Sequence, residues 1–107
     1  LLENESPFPT AILVGSDPMA IGVYRALKQK NIQIGEEIVV ASFDNIETIA
    51  NLSPGLTSVQ INAKSIGQAA VRMALERIDG IRDEPIILTY PARLIVRDSF
   101  IPRTKRY

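Results

Sequence analysis

At 107 residues, 46% hydrophobic and 22% charged, the chain is one ordinary globular domain or a piece of one, long enough for a real core. Twelve basic and twelve acidic residues cancel, which gives no support for a nucleic-acid surface. With no histidine and no cysteine, His-based catalysis, disulfides, thiolate sites and the common zinc sites are excluded, and no apolar run approaches membrane-spanning length.

Residues 1–10 read as a helix end and then a loop, with Pro7 and Pro9 blocking regular structure. The string LLENESPFPT lacks the basic and apolar regions of a signal peptide, and it opens mid-pattern, as a fragment would. Ala11-Ile12-Leu13-Val14 has no polar alternation, so a short strand covered on both faces is expected. Ser16 and Asp17 then offer side-chain oxygens to the free N–H groups of a helix start, and Pro18 suits the first helical position. Met19, Val23, Ala26 and Leu27 share one helical stripe, which should face the sheet. Ile21, Tyr24 and Lys28 lie on another face, where a solvated helix would carry only charges. That face looks built for a partner.

Asn31 is a left-handed helix stop and Gly35 turns the chain back. Ile38 to Ala41 is a second buried strand, followed by the polar pair Asp44-Asn45. A short helix over about Ile46–Asn51 leads into the turn signal Ser53-Pro54-Gly55. Leu56 to Ile61 should be a third strand, ending at Asn62. The next helix, about Ala63 to Ile78, carries a wide apolar arc of Ile66, Ala70, Val71, Met73, Ala74 and Ile78, and Gly80 ends it. Extended chain follows over Ile86–Thr89 and Leu94–Val96, with Pro91 between. The basic tail holding Arg103, Lys105 and Arg106 reads as solubility rather than a nucleic-acid patch.

Strands interleaved with helices predict an α/β fold with a mostly parallel sheet flanked by helices. Ligands of such sheets collect beyond the carboxyl ends of the strands, where this chain places Ser16-Asp17, Asp44-Asn45 and Asn62. Carboxylates and amides there suit a hydroxyl-rich guest, because one carboxylate accepts from two neighbouring hydroxyls. Phe43 could offer a ring face to a sugar or stay in the core. Each polar cluster also precedes a helix, so capping competes with binding. Capping is favoured for Asp17 and ligand contact for Asp44, since Asn45 could cap in its place. Asn62 stays open between the two. No GxGxxG or GxxxxGK[ST] occurs, and no catalytic, metal or cofactor constellation stands out.

The string GSDPMAIGVYRALKQKNIQIGEEIVVASFDN resembles the C-terminal effector-binding region of lactose/galactose-repressor (LacI/GalR) family transcription regulators, and LSPGLTSV and PARLIVRDS continue the likeness in order. The likeness covers about Pro9 to Phe100. It implies a fragment of a two-lobed, periplasmic-binding-protein-like domain: residues 1–60 in one lobe, 61–91 crossing to the other, 92–100 a return strand and 101–107 a tail. It places Asp44 on the effector, with Ser16 where relatives carry an asparagine that also binds it. It puts Ile21, Tyr24, Arg25, Ile49 and Leu52 in a dimer interface, although Ile49 and Leu52 serve equally well to close the core. DNA would be read by a domain outside this chain. The expectation is a cytoplasmic, non-enzymatic, dimeric regulator without a cofactor, sensing a small polar molecule such as a sugar. A periplasmic sugar-binding protein of a transport system is the alternative. The 63–78 helix, deprived of its partner lobe, is expected to repack on the first lobe or against a second copy.

Overall fold

In the computed structural model, residues 9–100 are described. The sequence expectations for the first eight residues and for the basic tail lie outside them. The elements run β1 (Ala11–Leu13), α1 (Asp17–Gln29), β2 (Val39–Asp44), a 3-10 turn (Glu47–Asn51), β3 (Thr57–Gln60), α2 (Ala63–Ile78) and β4 (Arg93–Ile95). The four strands form one sheet in the order β1-β2-β3-β4. β1 pairs with β2, and β2 with β3, in parallel. Beyond β4, Arg97 N–H bonds Thr57 Oγ1 at 2.8 Å and Ser99 N–H bonds the Gly55 carbonyl at 2.9 Å. Numbers climb on one segment as they fall on the other, so this last edge runs antiparallel and the sheet is mostly parallel.

The chain divides into two compact units. One holds the described residues up to Gln60 together with those from Leu94; the other is Ile61–Arg93.

The first unit carries the core. Val14, Ala20, Tyr24, Leu27, Ile34, Ile38, Val40, Ile49 and Leu56 cluster there, with Ile12, Val23, Ile32 and Leu52 packed around them. On α1 the buried stripe is Asp17, Ala20, Tyr24 and Leu27, at the spacing of one helical face. This corrects the expected stripe. Met19 is 57% exposed, while the small Ala20 lets the helix approach the sheet closely. Tyr24 is therefore a core residue rather than part of an outward face, and Ile49 is wholly buried as well. The helix stops at Asn31, whose φ of 56° is left-handed, and Gly35 turns the chain at φ 91°. β1 is not covered on both faces: it is an edge strand, and Leu13 is 69% exposed.

The Tyr24 ring fills the core, but its hydroxyl finds no hydrogen-bond partner among the described residues. Burial pushes the phenol above its usual value; the Ser99 hydroxyl pulls the other way and Asp98 adds to the rise. Ser99 Oγ is otherwise committed, donating to the Val40 carbonyl and accepting from Thr57 N–H, each at 2.7 Å. A raised phenol favours the neutral form in the folded state. Its stability is thus fully present below the ordinary value near pH 10 and is lost as pH rises through the folded value. Replacing Tyr24 by Phe should leave stability at neutral pH unchanged or raise it by about 1 kcal/mol, since it deletes a buried group without a partner. It should also weaken the alkaline loss. Urea midpoints at pH 7 and above pH 10 check both, and a clear destabilisation at pH 7 would reveal a bond to the hydroxyl.

In the second unit α2 spans Ala63–Ile78, as the apolar spacing predicts, and Gly80 follows it at φ 68°. Only Ala69 is buried on this helix. Ile66, Val71, Leu75 and Ile78 stay 41–78% exposed. Ile86–Thr89 forms no strand; Ile87 is 92% exposed there. An apolar helical face left bare in this way is of the kind that packs against a partner.

Candidate functional site at the carboxyl edge of the sheet

Parallel pairing brings the chemistry-bearing residues to one edge. Leu13 stands opposite Ala41; Ser16 lies three residues past Leu13, just before α1, and Asp44 three residues past Ala41, at the end of β2. Gln60 stands in register with Asp44 on the other side. Asp44 is exposed at the end of β2, and its side chain makes no hydrogen bond among the described residues. Its carboxylate is free to accept from a guest. Ser16 occupies the position before α1 in an extended conformation, yet its side chain makes no capping bond. Its hydroxyl is equally uncommitted. Phe43 is half-buried and pairs in register with Val59, one position back from the edge.

Asn62 belongs to the second unit, where Oδ1 accepts from Ser65 N–H at 3.1 Å and caps α2. Among the open alternatives, capping is thus the role its oxygen performs. Gln60 is the exposed amide in register beside Asp44.

The expected cap from Asp17 is not made. Instead, Asp17 is fully buried and its carboxylate gathers donors from three elements. Oδ1 accepts from the Ser42 hydroxyl on β2 and from the Ser58 hydroxyl on β3, the latter at 2.8 Å. Oδ2 accepts from Ile46 N–H at 2.7 Å, just past β2. A carboxylate inside a protein persists only where donors replace water, and here three do so. It also lies in the first turn of α1, where the helix N-terminus favours negative charge.

Asp44 and Asn45 both hold positive φ, 100° and 56°. Two successive non-glycine residues in that region are costly and persist only when neighbours fix them. The neighbours are identifiable. Ser58 Oγ accepts from Asn45 N–H at 3.1 Å, Asp17 takes Ile46 N–H, and Arg97 Nη2 donates to Asn45 Oδ1 at 2.8 Å. The result is one free carboxylate on a bend whose following two residues are bonded to the frame. Such an edge suits binding of a neutral, hydroxyl-bearing molecule better than proton transfer, since no second titratable group of the described residues is bonded beside it. Among the described residues no three acidic side chains gather to hold a metal ion.

Sequence reading missed Ser42, Ser58, Thr57, Ser99 and Arg97. A signal was present: VVASFD and LTSVQ put hydroxyl residues in the interior of strands that should be wholly apolar.

A family model described as a periplasmic binding protein-like domain matches residues 1–100. The chain is 33% identical over 104 residues to the HTH-type transcriptional repressor PurR of Glaesserella parasuis, covering 92% of this chain and 31% of that protein. It is 37% identical over 91 residues to a lactose operon repressor of Rhizobium radiobacter, covering 85% and 80%. Among solved structures, the transcriptional regulator CelR–cellobiose complex superposes with a TM-score of 0.80 at 28% identity, over 84% of this chain and 28% of that one. The lac repressor dimer bound to operator and the anti-inducer ONPF gives 0.77 at 30%, over 87% and 32%. The chain thus spans about three-tenths of the length of most of these relatives. It belongs to the periplasmic binding protein-like domain family, in the form found in the effector-binding domain of LacI/GalR transcriptional regulators.

Proposed function

We propose that this chain is the part of a LacI/GalR-type repressor that holds one side of the effector cleft, with Asp44 as the principal polar contact and a sugar as effector. The observation that carries the reading is the uncommitted Asp44 carboxylate on its fixed bend, between the Ser16 hydroxyl and the Gln60 amide on one sheet edge. A carboxylate takes two neighbouring hydroxyls and the flanking groups add a donor and an acceptor, a pattern that fits vicinal diols. The cellobiose seen with CelR is a molecule of that kind. In this reading the units Ile61–Arg93 and the remainder are parts of the two lobes, and the effector favours one lobe arrangement over another. A regulator senses its effector in this way and passes the difference to DNA-binding heads. The relatives named above are repressors, which favours a cytoplasmic regulator over a transport protein. No described helix is long and apolar enough to cross a membrane.

The test uses the full-length protein on DNA from upstream of its own operon, titrated with ribose, lactose and cellobiose. One of these sugars should raise the melting temperature and shift operator affinity about ten- to hundredfold. A response to none of them overturns the sugar reading.

Dimerisation belongs to the same proposal, on a smaller surface than the sequence implied. With Tyr24 and Ile49 in the core and Leu52 half-buried against it, the half-buried Ile21 and the exposed Arg25 are what α1 still offers of the implied surface. Pairing Arg25→Glu with Ile21→Asp should convert a dimer to a monomer, since charge placed in a desolvated interface lacks partners. Light scattering reads this directly, and an unchanged mass removes the assignment.

A further inference from the structure

We infer that Arg97 is a positioning residue for the Asp44 bend, tying it to the strand on which the chain returns to the first unit. The inference deepens the effector reading and rests on it for its functional meaning. The chain leaves the first unit after Gln60 and re-enters it at Leu94. Arg97 lies three residues beyond that return. Its backbone is locked to β3: Arg97 N–H donates to Thr57 Oγ1 at 2.8 Å, and the same hydroxyl donates to the Arg97 carbonyl at 3.1 Å. Its guanidinium then spreads over two acceptors, Nη1 to the Leu56 carbonyl at 2.7 Å and Nη2 to Asn45 Oδ1 at 2.8 Å. A planar fork holds two oxygens at fixed separation, which a lysine ammonium cannot do. Gly55 makes room for it. A Cβ there would stand 3.2 Å from Arg97 Cδ, so the side chain would have to give by a few tenths of an ångström even for alanine.

Asn45 is the residue after the candidate effector carboxylate, and its φ of 56° needs outside support. Arg97 supplies that support from the return strand, while Gln60 at the outgoing crossing stands in register with Asp44. Both crossings therefore end on the residues that frame one carboxylate. Any change in the course of the return strand reaches the bend through the Arg97–Asn45 bond.

Amide hydrogen exchange in the full-length protein, free of sugar, tests the clamp. Arg97→Lys keeps the charge and loses the fork; Asn45→Gly keeps the backbone conformation and loses the acceptor. Each should speed exchange at the 45 and 46 amides about tenfold, the loss expected for one hydrogen bond to a charged group. The double variant should be no faster than either single one, because both remove the same bond. Asn45→Asp, which keeps an acceptor oxygen, should exchange like the parent, and the Val14 and Val40 amides should not move. Additive effects, a uniform rise across the sheet, or no change at 45 and 46 overturns the proposal. Asn45 is half-buried on a bend outside the hydrophobic core, so its variants keep the test decisive even if Arg97→Lys folds poorly. Binding of ribose, lactose and cellobiose to Asp44→Asn reports separately on the site. Unaltered sugar binding there, with the exchange pattern above, would leave the clamp standing and remove the effector reading.

Discussion

Replacing Asp17 by Ala is expected to destabilise the protein by about 3–5 kcal/mol, the largest effect of any single side chain in this domain. The carboxylate is fully buried and serves Ser42, Ser58 and Ile46 N–H together. Deleting it strands a backbone donor that has no alternative, leaves two hydroxyls to find water in a closed space, and opens a void. Asp17→Asn should cost less, roughly 1–3 kcal/mol, because serine hydroxyls can turn and accept from the new amide while the backbone N–H cannot. Urea unfolding of the full-length protein at constant m-value measures both. A loss under about 1 kcal/mol for Asp17→Ala would mean that water replaces the carboxylate at little penalty, and that its bonds to Ser42, Ser58 and Ile46 do not hold the fold.

Asp44 is expected to show the opposite profile. Its side chain makes no bond within the described residues, and its φ of 100° suits glycine better than aspartate. Asp44→Gly should therefore leave stability unchanged or raise it by up to about 1 kcal/mol, the relief of backbone strain being partly offset by the freer unfolded chain. The same variant should lose about a hundredfold in effector affinity, the worth of charge-assisted bonds to a buried ligand. Asp44→Ala should lose binding equally without gaining stability, which separates the backbone contribution from the carboxylate's. Calorimetric titration with the responding sugar, paired with melting curves, reads the two quantities independently. If Asp44→Gly weakened the fold instead, the carboxylate would be a structural member and not a ligand contact.

Comparing these two aspartates shows what a sequence reveals here. Strand–helix alternation gave the parallel sheet, and α2 came out at its observed bounds because an uninterrupted apolar spacing ends at Gly80. The position of Asp44 was equally legible, since a polar pair directly after an apolar strand falls on the ligand-bearing edge by topology alone. The role of Asp17 was not. Residues preceding a helix favour capping, and nothing local shows that two serines from other strands will converge on its carboxylate. The inner face of α1 was misread for the same reason. Counting hydrophobicity selects Met19 over Ala20 and never selects a carboxylate, whereas the packed helix needs a small residue for close approach and a charge for the polar pocket. Tyr24 deceived in the other direction: an amphipathic ring reads as an interface residue until its burial is known. Arg97 lay beyond local inference, because its partners at Asn45, Leu56 and Thr57 are 40 to 52 positions away.

Ser99 bonds both Val40 and Thr57, 59 and 42 positions upstream. Proteins are synthesised from the amino end, so β2 and β3 must wait in the ribosome's shadow for a serine translated long after them. A message cut short before that codon would yield strands with no closing latch, and cellular proteases would be the first to detect the fault.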